Sequence, residues 1–413
     1  MKKFSIILAL AAFLFVPAQS QGQSIPKADP ISCTSIMVGK KASTDGTVMT
    51  SHTCDSDYRT WVDVVPAADH KDGEMMTIYR NRLHSKTIYG HEGMTVKGEI
   101  PQAKHTYRFL DTAYPCFNEK QLGIGETTIS GRNELRNRNG MFMIEELERV
   151  VLQRCSTARE AIALMGELIK EYGYGDSGEC LSIADKNEVW HFEVFGEGPD
   201  KIGGVWAAVR IPDDHVGVSA NNPRIGELNK KLLKDKDNYM ASENVFEVAK
   251  RMGFWDGKEK FLFWKAYGAG NYYGEERPFH IREYFIISKL APSLNLSFDS
   301  MELPFSVKPD KPVSAEQVME LLMETYEGTE YDVTKNLKVA VKDRYTGKTD
   351  SIISPAANPW MTRETRKMLN ALKPGSVDGN RLVAVPQCSY STVIQLNSEL
   401  PDAIGVIVCV SFL

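Results

Sequence analysis

Two runs of strand-forming residues, CTSIMVG (33–39) and TVMTSHT (47–53), stand either side of KKASTDG (40–46). Asp45-Gly46 is a strong turn signal, because glycine enters positive-φ backbone without steric cost and aspartate bonds its own backbone. The segment reads as a β-hairpin with Cys33 as its first residue, which commits this part of the chain to an antiparallel sheet. Strand signals return in CLSIAD and EVWHFEVFGEG, joined by the turn DKNE, and GGVWAAVRIP and HVGVSANNP are expected to continue that sheet. YSTVIQL and IGVIVCVSFL are two further apolar strands. Gly123-Ile124-Gly125 leads into ETTIS as a close backbone approach. Helices come in their own groups. MFMIEELERVVLQRC (141–155) has apolar residues at helical spacing, and Thr157 with Glu160 forms a capping box opening AREAIALMGELIKEYG. Gly173 and Gly175 end that helix. A helix is also predicted over 242–252, and Ser314 with Gln317 caps another before VMELLMETY. Grouped strands and grouped helices, without strict βαβ alternation, predict stacked layers of the α+β class. No repeat, low-complexity stretch or linker divides residues 33–413, so one domain is the simplest count.

The residues ahead of Cys33 carry a different message. Met1-Lys2-Lys3 is a positive start, and Phe4 to Val16 is a nearly unbroken apolar run, too short for the roughly 20 residues of a membrane span. Pro17 breaks it, and Ala18-Gln19-Ser20 has the small-x-small pattern of a cleavage site, so residues 1–20 read as a signal peptide. Residues 21–32 (QGQSIPKADPIS) read as an extended leader, and the product is expected to be exported to the periplasm or the extracellular space. A lipidated cysteine would follow the apolar core directly; here residues 17–32 intervene, with Pro26 and Pro30, which excludes a lipoprotein anchor.

About 390 residues follow position 20, enough for a substantial core. A net charge of −5 with interleaved signs excludes a basic nucleic-acid face, and no later stretch is apolar enough to span a membrane. The seven cysteines (Cys33, Cys54, Cys116, Cys155, Cys180, Cys388 and Cys409) are an odd number for an oxidising compartment, which points to a free thiol. None forms a CxxC and no histidine stands at ligand spacing, so no metal and no cofactor are expected. Cys155 and Cys409 read as buried small hydrophobes.

A cysteine at the head of a strand behind a cleavable leader defines a chemical device. Cutting the Ser32–Cys33 bond would free an α-amino group beside the thiol. That amine, with an ordinary pKa of roughly 7.7–8.0, can serve as base to its own sulfur, so no separate histidine is needed.

The stretch CTSIMVGKKASTDGTVMTSHTCDSDYRTW (33–61) resembles the start of the C69 dipeptidases, relatives of penicillin V acylase and bile salt hydrolase among the N-terminal-nucleophile hydrolases. NEKQLGIGETTISGRNEL (118–135), WHFEV (190–194), VRIPDDHVGVSANNPRIGE (209–227) and YSTVIQLNSELPDAIG (390–405) extend the resemblance. It implies a four-layer αββα sandwich with two stacked, mostly antiparallel sheets. It also implies roles: Cys33 as nucleophile, Asp55 holding the α-amino group, and Asn221 donating to the oxyanion, with Asn222 the neighbour to distinguish. A backbone N–H from Glu126, Thr127 or Thr128 would be the second oxyanion donor, and Arg282 an active-site arginine. The pattern is broken at His52, which stands where an arginine is expected ahead of Asp55; Arg59 or His52 itself is then the candidate for the missing positive charge. After the strand ending at Leu413 the family pattern implies a further segment, and without it an exposed strand edge is expected.

The resemblance implies hydrolysis of dipeptides and short peptides, with short peptides as partners and a homo-oligomer compatible with it. Two alternatives stand beside it. One is an N-acyl amide hydrolase of the bile salt or penicillin V type, which shares the nucleophile. The other is a catalytically weakened periplasmic binding protein on the same fold. His191, alternating with Trp190 and Phe192, reads as a packed sheet residue, and the aromatics of 254–273 as a core edge or cleft lining.

Overall fold

The computed structural model describes residues 33–85, 90–269 and 279–412, so the expected signal peptide (1–20) and leader (21–32) lie outside the described residues. The hairpin expected at the head of this region is present as β1 (Ser35–Val38) and β2 (Val48–Asp55), paired antiparallel. Every residue of β2 is buried, His52 and Asp55 included.

Among the described residues, fourteen strands build two large sheets, beside three separate two-stranded ones. Chain order continues with β3 (Asp63–Val65), β4 (Phe109–Asp111), β5 (Phe117–Asn118), β6 (Gly123–Thr128), β7 (Glu179–Ala184), β8 (Val189–Phe195), β9 (Val205–Ile211) and β10 (Val216–Ser219). Then come β11 (Tyr239–Ala241), β12 (Ser306–Val307), β13 (Cys388–Leu396) and β14 (Val406–Phe412). One sheet has the order β12-β10-β1-β2-β13-β14 and the other β11-β9-β8-β7-β6-β5-β4-β3, with antiparallel pairing throughout. The DKNE turn joins β7 and β8 as expected, the Asp185 carboxylate accepting from the N–H groups of Asn187 at 2.7 Å and Glu188 at 3.1 Å. One expectation is corrected. The HVGVS strand does not continue the sheet of β9; β10 crosses over and pairs with β1. Alternation alone cannot distinguish the two, since a strand buried on both faces fits either sheet.

The sheets stack face to face. Met37, Val48, Ile394 and Leu396 from one meet Cys116, Ala184, Val189 and Ile211 from the other. Small hydroxyls complete the interface: Ser35 Oγ lies 2.8 Å and Thr50 Oγ1 2.5 Å from Ser182 Oγ, and Thr127 Oγ1 lies 2.6 Å from Ser219 Oγ. Gly125 is needed here, because a Cβ would stand 2.6 Å from Ser51 O and 2.7 Å from Ser182 Oγ.

Helices cover both outer faces. α1 (Ile144–Arg154) and α2 (Ala158–Tyr172) pack Leu147, Val151, Ile162 and Met165 against Ile124, Leu181, Ile183 and Phe192. The Thr157–Glu160 capping box opens α2, and Gly173 at φ 81° ends it. After the short α3 (Val245–Arg251) and α4 (Phe263–Tyr267), α5 (Ile281–Leu290) and α6 (Ala315–Leu322) cover the other sheet. Ile286, Ile287, Val318 and Leu322 meet Ile36, Val38, Val216 and Val393 there. The Ser314–Gln317 capping box starts α6 as expected. α7 (Arg363–Leu372) buries no residue. The result is the four-layer αββα sandwich, helices outside and two antiparallel sheets within. β14 lies at a sheet edge with alternate residues exposed, and Cys409, expected to be buried, is on its exposed face. No disulfide joins the seven cysteines.

Candidate active site

Cys33 lies two residues ahead of β1 and is fully buried. Ser35 and Met37 face the space between the sheets, so alternation sends Cys33 into the same layer. Its backbone is gripped on both sides. The N–H donates to Asn221 Oδ1 at 3.0 Å, and the carbonyl accepts from Arg282 Nη1 at 2.7 Å. Arg282 Nη1 also donates to Thr34 Oγ1 at 2.9 Å, while Nη2 donates to Ala220 O at 3.0 Å and Asn221 Oδ1 at 2.7 Å. One guanidinium thus fastens the head of β1 to the loop that follows β10.

Local structure explains both partners. Asn221 has φ 69°, a left-handed conformation that asparagine adopts more readily than most residues. This turn brings the side chain back onto Cys33, and Nδ2 donates to Thr128 O at 2.6 Å. Arg282 sits in the first turn of α5, whose start is a capping box: His280 accepts from the Arg282 N–H and Glu283 from the His280 N–H. Glu283 Oε1 also accepts the Ala220 N–H at 3.1 Å. A cation in a first turn opposes the helix dipole by roughly 0.3–1 kcal/mol. The fixed contacts of this fully buried guanidinium outweigh that cost, and they exclude the surface salt-bridge role that an arginine in HIREYF could equally have had.

Asp55 ends β2. Its Oδ2 accepts from Thr53 Oγ1 at 3.0 Å and from Arg381 Nη2 at 2.8 Å, and Thr53 Oγ1 accepts the Thr34 N–H at 3.0 Å. The pairing of β13 with β2 shifts register between Cys388 and Tyr390, opposite Asp55 and Cys54, a bulge that frees this end of the ladder. Asp55 Oδ1 is buried with no partner among the described residues. In the uncut chain the Cys33 amide N–H goes to Asn221 Oδ1, whereas the role expected of Asp55 concerns the amine that cutting would free. Asp55 also acts on the Cys33 thiol, through its charge and its backbone N–H.

Burial, followed by the charges of Glu126, Cys54 and Asp55, pushes the Cys33 thiol well above its ordinary value. The setting favours the neutral thiol over the thiolate. His52 does not reverse this. Its ring packs edge-on against Tyr114 and Tyr390, with Nδ1 3.4 Å from Thr392 Oγ1. Dehydration pushes it down to about 4, leaving a neutral imidazole near pH 7. It shares no hydrogen bond with Cys33, Asp55 or Asn221 among the described residues. Arg59 is committed to Asp111 at 2.9 Å, in a buried pair that Arg149 joins at 2.6 Å. The positive charge sought at position 52 reaches Asp55 from Arg381, 326 positions away.

Thr127 faces Ser219, and Thr128 supplies its carbonyl to Asn221. The Ile124 N–H bonds Cys116 O on the β5 side of β6. Strand alternation sends the Glu126 N–H to the same side, past the point where β5 ends opposite Gly123. An outward N–H beside Cys33 has the placement that an oxyanion donor requires. The Glu126 side chain is fully buried on the helix-facing side, diagonal to Glu179 across the β6–β7 ladder. Burial raises its carboxyl to about 7, and Glu179, Glu148, Glu145 and Asp176 are raised by the same cause.

These carboxyls set a pH dependence. A folded-state pKa above the unfolded value means that the folded chain holds its protons more tightly. Stability is therefore greatest below the ordinary carboxyl value of 4.5 and falls as pH rises, for Glu126 across the window from 4.5 to about 7. Glu148 has neither carboxyl oxygen partnered, and only Glu126 and Glu145 act on it electrostatically. Glu148→Gln is expected to raise the melting temperature at pH 8 by several degrees and to change it little at pH 4.5. Equal shifts at the two pH values would contradict this origin.

Two participants escaped the sequence reading. Arg381 lies in a loop without periodicity and gave no signal. Glu179 did give one, as a charged residue on the same strand face as Leu181 and Ile183.

Comparison with known proteins places this arrangement. The model of peptidase family C69 matches residues 32–413. The probable dipeptidase of Latilactobacillus sakei is 29% identical over 324 residues, covering 74% of this chain and 62% of that protein. The probable dipeptidase of Salmonella dublin is 28% identical over 321 residues, covering 73% of this chain and 68% of that protein. The chain thus spans 62% of the length of the first of these relatives and 68% of the second. Penicillin V acylase from Agrobacterium tumefaciens aligns over 89% of this chain and 84% of its own, with 11% identity and a TM-score of 0.28. With the match beginning at the residue before Cys33 and running to Leu413, the chain belongs to peptidase family C69.

Proposed function

We propose that this protein is an exported cysteine hydrolase of dipeptides and short peptides, in which Cys33 becomes residue one by loss of residues 1–32. The observation that carries the reading is the bracketing of Cys33, its N–H held by Asn221 and its carbonyl by Arg282, from positions 188 and 249 away in sequence. Such a grip fixes a terminal residue that would otherwise fray.

Once the Ser32–Cys33 bond is cut, the Cys33 nitrogen becomes an amine. Asn221 Oδ1 keeps one of its protons, and the open Asp55 Oδ1 is the acceptor we assign to its ammonium form. The neutral amine takes the thiol proton as Sγ attacks the substrate carbonyl. The oxyanion is met by Asn221 Nδ2 and the Glu126 N–H. The ammonium passes its proton to the leaving amine, and a thioester remains on Cys33. Water, losing a proton to the same amine, attacks the thioester; the second product leaves as a carboxylic acid and Sγ recovers its proton.

Turnover of a dipeptide panel against an N-acyl amide panel tests the assignment. Release of amino acids from dipeptides, at a kcat/KM at least tenfold above that for any bile salt or penicillin V, is expected. The reverse order would make the protein an acylase. Turnover of neither panel would favour a binding protein on this fold.

A further inference from the structure

The Glu126–Glu179 pair has no role in the steps above, and its surroundings are unusual for buried carboxyls. Both side chains are fully buried and act on each other through a side-chain contact, and no other residue among those described donates to Glu126 Oε2 or Glu179 Oε2. Across the pair the Tyr174 hydroxyl, also buried, is unpartnered, and Glu179, Glu145 and Glu126 are among the groups that act on it. Glu148 adds a carboxyl with both oxygens open. Nearby cations are committed elsewhere: Arg82 to Glu146, and Arg80 Nη2 to Gly175 O at 3.0 Å. Four carboxyl oxygens buried together without a donor call for a cationic one.

Position identifies the donor. Glu126 makes a side-chain contact with the Cys33 thiol. In an α-amino acid the nitrogen lies two bonds from the carbonyl carbon, about 2.5 Å away. A carboxyl that touches the attacking sulfur is therefore within reach of the α-nitrogen of the residue under attack. We infer that Glu126 and Glu179 bind the α-ammonium of the substrate, selecting peptides with a free N-terminus and rejecting N-acylated ones. The inference rests on Cys33 being the nucleophile, and it assigns substrate choice to a pair outside the reacting atoms. Acylation removes the charge and adds bulk where two carboxyls converge. The carboxyl pair is then left without its counter-ion, so discrimination comes from both attraction and exclusion.

The test compares an uncharged dipeptide with its N-acetyl twin in the wild type, Glu126→Gln and Glu179→Gln. The ratio of their kcat/KM values is expected to fall by roughly ten- to a hundred-fold in each variant, through KM for the free dipeptide. A second measurement needs no variant: alaninamide should compete with dipeptide hydrolysis by the wild type, and N-acetylalaninamide should not. A ratio within twofold of wild type in both variants, or equal competition by the two amides, overturns the inference while leaving the nucleophile in place. A wild type that cleaves no dipeptide overturns the reading it rests on.

Discussion

Cys33→Ala is expected to reduce peptide turnover by at least about 10⁴-fold, because the sulfur is the only atom assigned to form the covalent intermediate. The fold should survive. The side chain is small and packs at a strand end, so its truncation costs about 1 kcal/mol, within the ordinary range for a point change. If leader removal is autocatalytic, the same variant accumulates with residues 21–32 attached, which intact-mass measurement reads directly. Cys33→Ser keeps the shape and a hydroxyl, and should retain more activity than alanine but far less than cysteine. Full turnover in either variant would move the nucleophile elsewhere, first to Cys180, whose sulfur lies 3.4 Å from His191 Nε2, itself 2.8 Å from Glu193 Oε1.

Arg282 carries the second large effect. Its guanidinium satisfies Cys33 O, Thr34 Oγ1, Ala220 O and Asn221 Oδ1 in a fully buried setting. Removing it strands the Cys33 and Ala220 carbonyls and takes a donor from Thr34 Oγ1 and Asn221 Oδ1, so Arg282→Ala is expected to cost about 3–5 kcal/mol and lower the melting temperature by about 5 °C. Activity should fall further than stability requires, since the Cys33 carbonyl and the Asn221 amide both lose their anchor. Arg282→Lys keeps the charge but not the fork that reaches four acceptors, and should fall between the two. An alanine variant with wild-type melting temperature and turnover would show the fork to be incidental.

Much of this was legible in the sequence, for identifiable reasons. The β1–β2 hairpin, the β7–β8 turn at Asp185 and the capping boxes at Thr157 and Ser314 are local devices, written in adjacent residues. What stayed hidden depends on distant ones. α5 is capped by His280 rather than by serine, threonine or aspartate, and the run from Tyr284 to Ile287 is apolar enough to pass for a strand. The sheet to which β10 belongs is decided by β1, more than 170 residues earlier. Position 52 is the clearest lesson. Reading outward from Asp55 pointed to a neighbour for its positive charge, whereas the fold brings Arg381 from the far end of the chain and leaves His52 as a neutral ring between two tyrosines.

The central claim is that Cys33 works as a terminal residue with its own amine as base. Mass spectrometry of the active protein, quenched during dipeptide turnover and digested, tests it directly. The account predicts an N-terminal peptide beginning at Cys33, with an unmodified α-amine and the acyl group of the substrate on its sulfur. A fully active protein that retains residues ahead of Cys33, or an acyl group found on any other side chain, would contradict it.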